Sequence, residues 1–171
     1  MSIPMLARLD AHDRALFLRV ARGPSPRLMA RLAWTLVTHL GGVTGSIAAA
    51  MVPILIGGTL RDPGIHALIA LVASHLVVQL IKRTVGRPRP SRRVTTEQWM
   101  EEPDKFSFPS GHSAAAMSVA TAYALAFPSL APLLVPVAVV VGFSRVRLGV
   151  HYPGDVVVGQ AIAVATALLV G

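Results

Sequence analysis

The sequence predicts an all-α protein, a polytopic membrane bundle of about five transmembrane helices with an N-terminal amphipathic helix at the membrane interface. Hydrophobic residues make up 53% of the 171 residues and charged residues 14%, whereas about 25% of a soluble domain is charged. The mean hydropathy is +0.61. Long apolar segments alternate with Pro, Gly and charged residues. We therefore expect a single membrane-embedded domain over residues 1–171.

The charge balance limits the classes of partner that we expect the protein to bind. The net charge is +8, and the basic residues gather near the N-terminus and in residues 82–93, which suits lipid headgroups and phosphate. Aromatic residues make up 5% of the chain and do not alternate with the basic ones, so we expect membrane lipids as partners and no nucleic acid. The absence of cysteine excludes disulfides and thiolate metal sites. The sequence carries no signal for an oligomeric state.

The first element is an amphipathic helix over residues 3–22. Apolar residues recur there at helical spacing, while arginines and a histidine take the other faces. We expect this helix to lie in the headgroup plane. The alternative is a helix that packs on the bundle. Gly and Pro at residues 23–26 end it.

The first predicted span covers residues 29–58. Small residues or proline recur in it at every fourth position, a spacing that lets a neighbouring helix approach closely; they are Gly41, Gly45, Ala49, Pro53 and Gly57. The second span covers residues 65–85. It carries His75, Gln79 and Lys82 on one face, and we expect that face to point into the bundle.

The second half of the chain is expected to hold three more spans. Residues 86–108 form the longest polar stretch, rich in Pro and charge, and predict an extramembrane loop. The third span then covers residues 110–127, the fourth residues 132–148, and the fifth begins near Asp155 and runs to residue 171. With five spans, the N-terminal helix, the loop and the junction 149–154 all lie on one side of the membrane.

Three short polar stretches at helix ends carry the candidate chemistry. Pro109-Ser110-Gly111-His112 opens the third span, and a helix N-terminus of this kind binds phosphate; the alternative is that Ser110 only caps the helix. Lys82 and Arg89 offer a point charge and a planar fork for phosphate oxygens. The alternative for these two residues is a basic patch at the membrane surface.

The third stretch ends with His151 and Asp155. A carboxylate near an imidazole fixes its tautomer and raises its basicity, which leaves the other ring nitrogen free to attack. Asp155 is also placed to cap the fifth helix, and both roles are compatible.

Together these residues resemble a known family. Lys82-x6-Arg89-Pro90, Pro109-Ser110-Gly111-His112 and Ser144-Arg145-x5-His151-x3-Asp155 match, in order and spacing, the three motifs of the type-2 phosphatidic acid phosphatase (lipid phosphate phosphatase) superfamily. The membrane organisation extends the resemblance to nearly the whole chain. Its size is similar to that of the compact bacterial members.

The resemblance implies a lipid phosphatase that needs no metal and no cofactor. It would act on undecaprenyl diphosphate, phosphatidylglycerophosphate or phosphatidic acid through a phosphohistidine. His151 would be the nucleophile, Asp155 its orienting partner, and His112 the general acid. The phosphate would be held by Lys82, Arg89, Ser110, Gly111 and Arg145. Four surplus arginines would suit a diphosphate; they are Arg87, Arg92, Arg93 and Arg147.

Three alternatives remain open from the sequence: a vanadate-dependent haloperoxidase on the same motifs, a phosphotransferase, and a lipid-binding scaffold without activity. The resemblance further implies a multi-pass protein of the plasma (inner) membrane with its catalytic face outward. The N-terminal arginines oppose that orientation, because basic residues favour the cytoplasmic side. For Arg87 and Arg147 a structural or headgroup role is the alternative, and for His75 and Gln79 plain packing.

Overall fold

The computed structural model of the protein describes residues 3–21, 28–93 and 104–171, and these form seven α-helices. The helices are α1 (Ile3–Ala21), α2 (Leu28–Leu40), α3 (Val43–Ile56), α4 (Arg61–Val85), α5 (Gly111–Ala126), α6 (Ala131–Arg147) and α7 (Pro153–Val170). Single 3-10 turns, Gly58–Leu60, Pro90–Arg92 and Pro128–Leu130, lie between them. The described residues contain no strand, only an isolated bridge between Pro88 and Phe106.

Helix α5 lies at the centre and packs against α4, α6 and α7. Its alanine-rich sequence leaves little side chain between the helix axes, which permits close approach. The core around it is built mainly of small residues, including Ala114, Ala120, Ala138 and Ala163, all buried. Many of the bulkier Leu and Val side chains are exposed, so much of the outer surface is apolar, as a lipid-facing surface requires.

The all-α membrane bundle predicted from the sequence is confirmed. Three helical segments are long and apolar enough to cross a membrane: Gly58–Val85, Pro128–Arg147 and Pro153–Val170. Helices α2 and α3 pass the same test only as a pair, bent by 48°. The remaining predicted span corresponds to α5, which has 16 residues. The protein is thus a multi-pass membrane protein, and the count of five spans is approximate.

The first span differs from the continuous helix expected over residues 29–58. The chain breaks at Gly41 and Gly42, whose N–H groups donate to the carbonyls of Thr38 and His39 in a turn. A Cβ added at Gly41 would lie 2.6 Å from the carbonyl oxygen of His112. The glycine therefore lets the backbone of the break pack directly against the first turn of α5.

The predicted polar face of α4 is wrong for two of its three residues. His75 is exposed and Gln79 only half-buried, and their side chains lie 3.4 Å apart on an exposed face. The buried stripe of α4 instead runs through Ser74, Val78 and Lys82. His75 and Gln79 each follow a stripe residue by one position, which turns them about 100° away from the core.

Helix α1 packs on the junction between α6 and α7. Phe17 is fully buried and meets the ring of Tyr152 edge-on, with 5.4 Å between centroids. Arg147 donates a hydrogen bond from Nη1 to the carbonyl oxygen of Val20. The helix is therefore fixed to the protein by apolar contacts and by hydrogen bonds. Residues 22–27 and the middle of the predicted loop, 94–103, lie outside the described residues.

Candidate active site

The three polar stretches meet at one end of the bundle. Helices α5 and α7 both begin there, and the N–H of Ser110 donates to the carbonyl oxygen of Asp155 at 2.9 Å. Gly159, one turn into α7, makes this contact fit, since a Cβ there would lie 2.5 Å from the carbonyl oxygen of Ser110. Backbone contacts thus hold the second and third motifs together.

Arg89 lies at the centre of the site and is fully buried. Its Nε donates to the carbonyl oxygen of Asp104 and its Nη2 to Asp104 Oδ1, both at 2.8 Å. Its Nη1 donates to the carbonyl oxygen of Val150 at 2.8 Å and lies 3.2 Å from His151 Nε2. The guanidinium is therefore fixed in its plane with one edge against the imidazole.

The contact with Arg89 assigns the tautomer of His151. Arginine has only donors, so Nε2 accepts and carries the lone pair, while Nδ1 carries the proton. Nδ1 faces Asp155 Oδ2 at 3.5 Å, an ion-pair distance without a hydrogen bond. Burial, together with the charges of Arg89 and Arg145, holds the pKa of His151 well below its ordinary value. The imidazole is thus neutral at neutral pH, with its lone pair on Nε2, where it accepts from Arg89.

Lys82 is buried at the end of α4 and shares Asp104 with Arg89. Its Nζ donates to Asp104 Oδ2 at 2.8 Å and to the carbonyl oxygen of Phe106 at 3.0 Å. Partial burial opposes ionisation of Asp104, but its bonds with Lys82 and Arg89 prevail and lower the pKa of this carboxyl. The carboxylate of Asp104 therefore lies between Lys82 and Arg89, the two cations that the sequence predicts to bind phosphate.

The N-terminus of α5 is open in the way that anion binding requires. Ser110 is buried but its side chain makes no capping bond to the helix; its Oγ instead accepts from Ser113 Oγ at 2.8 Å. A Cβ added at Gly111 would meet no atom of the described residues within 4 Å. The capping role considered for Ser110 is thus not the one observed, and free space lies over the first turn.

Arg145 and His112 complete the group. Arg145 is buried and donates from Nη1 to Thr38 Oγ1 at 2.7 Å, which ties it to the end of α2. Its carbonyl oxygen accepts from the N–H groups of Val150 and His151. His112 lies within the electrostatic field of three cations, Arg145, Arg89 and Lys82. The Nε2 atom of His112 lies beside the α2–α3 break, 3.6 Å from where a Cβ of Gly42 would be.

The surplus arginines are not arranged for a second phosphate. Arg87 binds three carboxylates, with Nη1 on Asp13 and Asp155 and Nη2 on Asp10. Arg147 and Arg93 also contact α1, through Val20 and Asp10, and Arg92 is exposed. Arg87 and Arg147 thus have the structural role that was the alternative. The surplus of arginines therefore does not indicate a diphosphate substrate.

Metal ligands do not gather in the described part of the chain: no three His, Asp or Glu side chains there come close enough together to hold an ion. The site is instead lined by three buried cations around His151 and His112. Its chemistry is that of an anion cradle with two imidazoles.

An apolar cavity of about 170 Å³ lies below His112, between α3, α5 and α6. Its lining includes Ala116, one helical turn beyond His112, and the small residues Ala49, Ala120 and Ala138. Ala49 and Val137 in its wall are exposed, so the cavity opens on the lipid-facing surface.

Sequence reasoning missed Asp104, Asp13 and Thr38, which hold Arg89, Arg87 and Arg145. The signal for the two carboxylates is scarcity: only eight acidic residues occur in the chain, and each one near a basic stretch is a candidate counter-ion. Thr38 carries no comparable signal in its sequence surroundings.

Comparison with known proteins finds a matching family model and several relatives. A family model described as the PAP2 superfamily matches residues 63–170. The chain is 35% identical over 111 residues to a lipid A 1-phosphatase of Rhizobium johnstonii, covering 62% of this chain and 46% of that protein. It is 37% identical over 99 residues to a decaprenylphosphoryl-5-phosphoribose phosphatase of Mycobacterium tuberculosis, covering 57% and 53%.

The fold has a counterpart among solved structures. A transmembrane PAP2-type phosphatidylglycerolphosphate phosphatase from Bacillus subtilis superposes with a TM-score of 0.79 at 25% identity, covering 95% of this chain and 84% of that one. The chain spans about half the length of the curated relatives it matches.

Proposed function

The chain belongs to the PAP2 superfamily, and from that premise we propose that it is one membrane-embedded lipid phosphatase domain. It removes a terminal phosphate from a membrane lipid through a phosphohistidine and uses no metal. The observation that carries the proposal is the contact of 3.2 Å between Arg89 Nη1 and His151 Nε2. There a buried guanidinium donates to the lone pair of a neutral imidazole, and a phosphoryl oxygen that took over this donor would leave the lone pair free to attack phosphorus.

The cradle binds the phosphoryl oxygens before reaction. Lys82, Arg89 and Arg145 supply positive charge, and the first turn of α5 at Ser110 and Gly111 supplies backbone N–H groups. These donors are held by the protein, through Asp104 for the first two cations and Thr38 for Arg145. Fixed donors stabilise the charge of the transition state without reorganising, which is the largest contribution to most phosphoryl transfers.

In the first step, His151 Nε2 attacks phosphorus. The P–N bond forms while the P–O bond to the lipid breaks. His112, which takes up its proton together with the anionic phosphate because that charge offsets the cations around it, gives this proton to the leaving oxygen. The phosphorylated imidazole keeps its proton on Nδ1, facing the carboxylate of Asp155. Asp155 thereby stabilises the positive charge that the ring acquires.

In the second step, water attacks phosphorus. His112, now neutral, accepts the proton from that water, the P–N bond breaks, and inorganic phosphate leaves. His151 returns to its neutral form and His112 to its protonated form, so the cycle closes without a net proton change on the protein. No step requires a metal, because the cradle supplies the charge that a metal would contribute.

The substrate is a phosphate on a lipid with one or more long chains. The apolar cavity between α3, α5 and α6 lies one helical turn from His112 and opens on the lipid-facing surface, so it offers a path for a hydrocarbon chain. The cradle accounts for one phosphoryl group. We therefore favour terminal phosphates of the kind named for the relatives, lipid A 1-phosphate and the phosphoribose of a polyprenyl carrier.

Phosphate release from the detergent-solubilised protein tests the proposal. The substrates are lipid A, decaprenylphosphoryl-5-phosphoribose, undecaprenyl diphosphate, phosphatidylglycerophosphate and phosphatidic acid, each with excess EDTA. We expect release that survives EDTA and is lost in His151→Ala but not in the control His66→Ala, whose side chain is exposed on α4. No release from any substrate, or equal release by both variants, would contradict the proposal.

We further place the protein in the plasma membrane with the catalytic face outward. Because the chain has no cysteine, a single cysteine can report the side. Lys105→Cys lies at the site and Thr59→Cys at the opposite end of the bundle, and both positions are exposed. In intact cells a membrane-impermeant maleimide should label the first and spare the second; the reverse would place the site in the cytoplasm.

A further inference from the structure

A cluster of ion pairs lies behind the candidate active site, on the side away from the cradle. It joins helix α1 to the loop after α4 and to the first turn of α7. We call it the α1 ion cluster; its members are Asp10, Asp13, Arg14, Arg87, Arg93 and Asp155. Three carboxylates and three guanidiniums balance in charge, so the cluster forms without leaving a net charge in the protein.

Arg87 is the hub of this cluster. Its Nη1 lies 2.6 Å from Asp155 Oδ1 and 2.7 Å from Asp13 Oδ2, and its Nη2 lies 2.8 Å from Asp10 Oδ1. The guanidinium carbon stands 4.1 Å above the centre of the Tyr152 ring, a favourable cation–π distance. Because the ion pairs hold the edge of the guanidinium and the Tyr152 ring packs against its face, the Arg87 side chain is restricted to one position.

That position determines how Asp155 is presented to His151. Arg87 occupies Oδ1 of Asp155, and Oδ2 is left to accept the N–H of Tyr152 at 2.8 Å and to face His151 Nδ1. The carboxylate is fully buried. A buried carboxylate without a hydrogen-bonded counter-ion is strongly disfavoured, so Arg87 both keeps Asp155 charged and turns the correct oxygen toward the imidazole.

Asp13 connects α1 to the same turn by a second route. Its Oδ1 accepts the N–H of Gly154 at 2.7 Å, while its Oδ2 binds Arg87. A Cβ added at Gly154 would lie 2.8 Å from Asp13 Oδ2, so this approach requires glycine. Asp13 therefore bridges the hub of the cluster and the residue that precedes Asp155 in the chain.

We propose that α1 is a positioning element of the active site, in which Asp13 and Asp10 hold Arg87 against Asp155 so that Asp155 stays aimed at His151. The inference rests on the proposed function, because aiming His151 matters only if His151 attacks. Helix α1 lies before the residues matched by the family model, 63–170. The two carboxylates therefore lie outside the segment that the family model matches.

The competing explanation is that the cluster merely anchors α1. The structure offers a way to separate the two, because α1 is also held by the buried Phe17 and by the bond from Arg147 to Val20. A variant that weakens the ion pairs should leave the helix docked. Under the positioning role kcat falls while KM and the melting temperature change little; under the anchoring role the melting temperature falls and kcat of the folded protein does not.

The test compares Asp13→Asn, Arg87→Lys and Arg87→Met with Asp62→Asn. Asp13→Asn keeps an acceptor for Gly154 and replaces the oxygen that binds Arg87 with an NH2 group, which removes the charge and the bond to Arg87. Asp62→Asn is the same substitution at an exposed position at the other end of α4. We expect kcat to fall about tenfold in Asp13→Asn and about a hundredfold in Arg87→Met, the range for residues that orient a catalytic ligand. Arg87→Lys should recover part of the loss, and Asp62→Asn should behave as wild type.

A second measurement does not depend on turnover. In protein labelled with ¹⁵N-histidine, the ring signals of His151, identified by their loss in His151→Ala, report the surroundings of each ring nitrogen. We expect the Nδ1 signal, which belongs to the nitrogen facing Asp155, to shift in Arg87→Met, while the signal of Nε2, which faces Arg89, stays at its wild-type position. An unchanged Nδ1 signal in Arg87→Met, or an unchanged kcat in both Asp13→Asn and Arg87→Met, would overturn the positioning role.

Failure of the proposed function has a different signature. If the wild type releases no phosphate from any lipid, the lipid phosphatase proposal falls. The Nδ1 signal of His151 in Arg87→Met then still decides whether the α1 ion cluster positions Asp155.

Discussion

The guanidinium of Arg89 and the imidazole of His151 are in direct contact, with Nη1 of the arginine 3.2 Å from Nε2 of the histidine, and both side chains are buried. Three of the other four N–H groups of Arg89 donate to Asp104 and Val150. The arginine is therefore oriented before any substrate arrives. This fixed orientation is a property that a lysine at the same position would lack.

We accordingly expect Arg89→Lys to lower kcat/KM by about 100-fold, because the ammonium cannot bind Asp104 with two donors while also facing His151. Phosphate release on the best substrate from the panel measures the effect. Arg83→Lys, an exposed position in the last turn of α4, is the matched control and should retain wild-type kinetics. Equal activity of the two variants would argue against a role of the fork in binding phosphate.

The two glycines at the start of α5 and in α7 should separate function from stability. An added methyl at Gly111 meets no described atom, so Gly111→Ala should keep the wild-type melting temperature while raising KM, because the methyl enters the space proposed for phosphate. Gly159→Ala should instead lower the melting temperature, since its Cβ would lie 2.5 Å from the carbonyl oxygen of Ser110. A Gly111→Ala protein with unchanged KM would place the phosphate elsewhere.

The depressed pKa of His151 predicts a loss of stability in acid. Below about pH 6.5 the unfolded chain takes up a proton at this residue and the folded protein does not, so stability is present above that pH and is lost as the pH falls toward the folded pKa. We expect the melting temperature in detergent to fall more between about pH 7.5 and about pH 5.5 in the wild type than in His151→Gln.

The exposed His66 supplies the control for that experiment, and His66→Gln should show the wild-type pH dependence. If His151→Gln loses as much stability in acid as the wild type does, His151 is not the residue that opposes protonation.

The apolar cavity predicts a dependence on chain length. Ala49 lines it and Ala48, the preceding residue, does not. A leucine at position 49 should narrow the opening, so Ala49→Leu should raise KM for a long-chain lipid phosphate and leave a short-chain, water-soluble analogue unaffected. Ala48→Leu, at an equally exposed position of α3, should alter neither substrate. A uniform effect on both substrates would assign the cavity no part in holding the chain.

The sequence was most informative about the residues that face the substrate. Residue type and spacing single out seven of these residues, and the structure brings them to one end of the bundle; they are Lys82, Arg89, Ser110, His112, Arg145, His151 and Asp155. Polar residues at the ends of apolar helices are conspicuous, because burying them costs so much that few are present. Their catalytic roles stay predictions until the variants above are measured.

The sequence was least informative about what supports those residues. Asp13 and Arg87 are 74 positions apart, and no local pattern pairs one acidic residue with one arginine over such a distance. The break at Gly41 and Gly42 was missed for a related reason. Small residues in an apolar segment predict close packing equally well for a continuous helix and for a turn, and only the position of His112 decides between them.

The hydrogen bond between Asp13 and Gly154 joins positions 141 residues apart, and this has a consequence for biogenesis. The carboxylates of α1 leave the ribosome 141 residues before the turn that they support. At about 5–20 residues per second the interval is on the order of ten seconds, during which four apolar segments enter the membrane. The proposed active site is therefore completed only after most of the bundle has been inserted, and a nascent chain truncated before α7 should carry most of the motifs and release no phosphate.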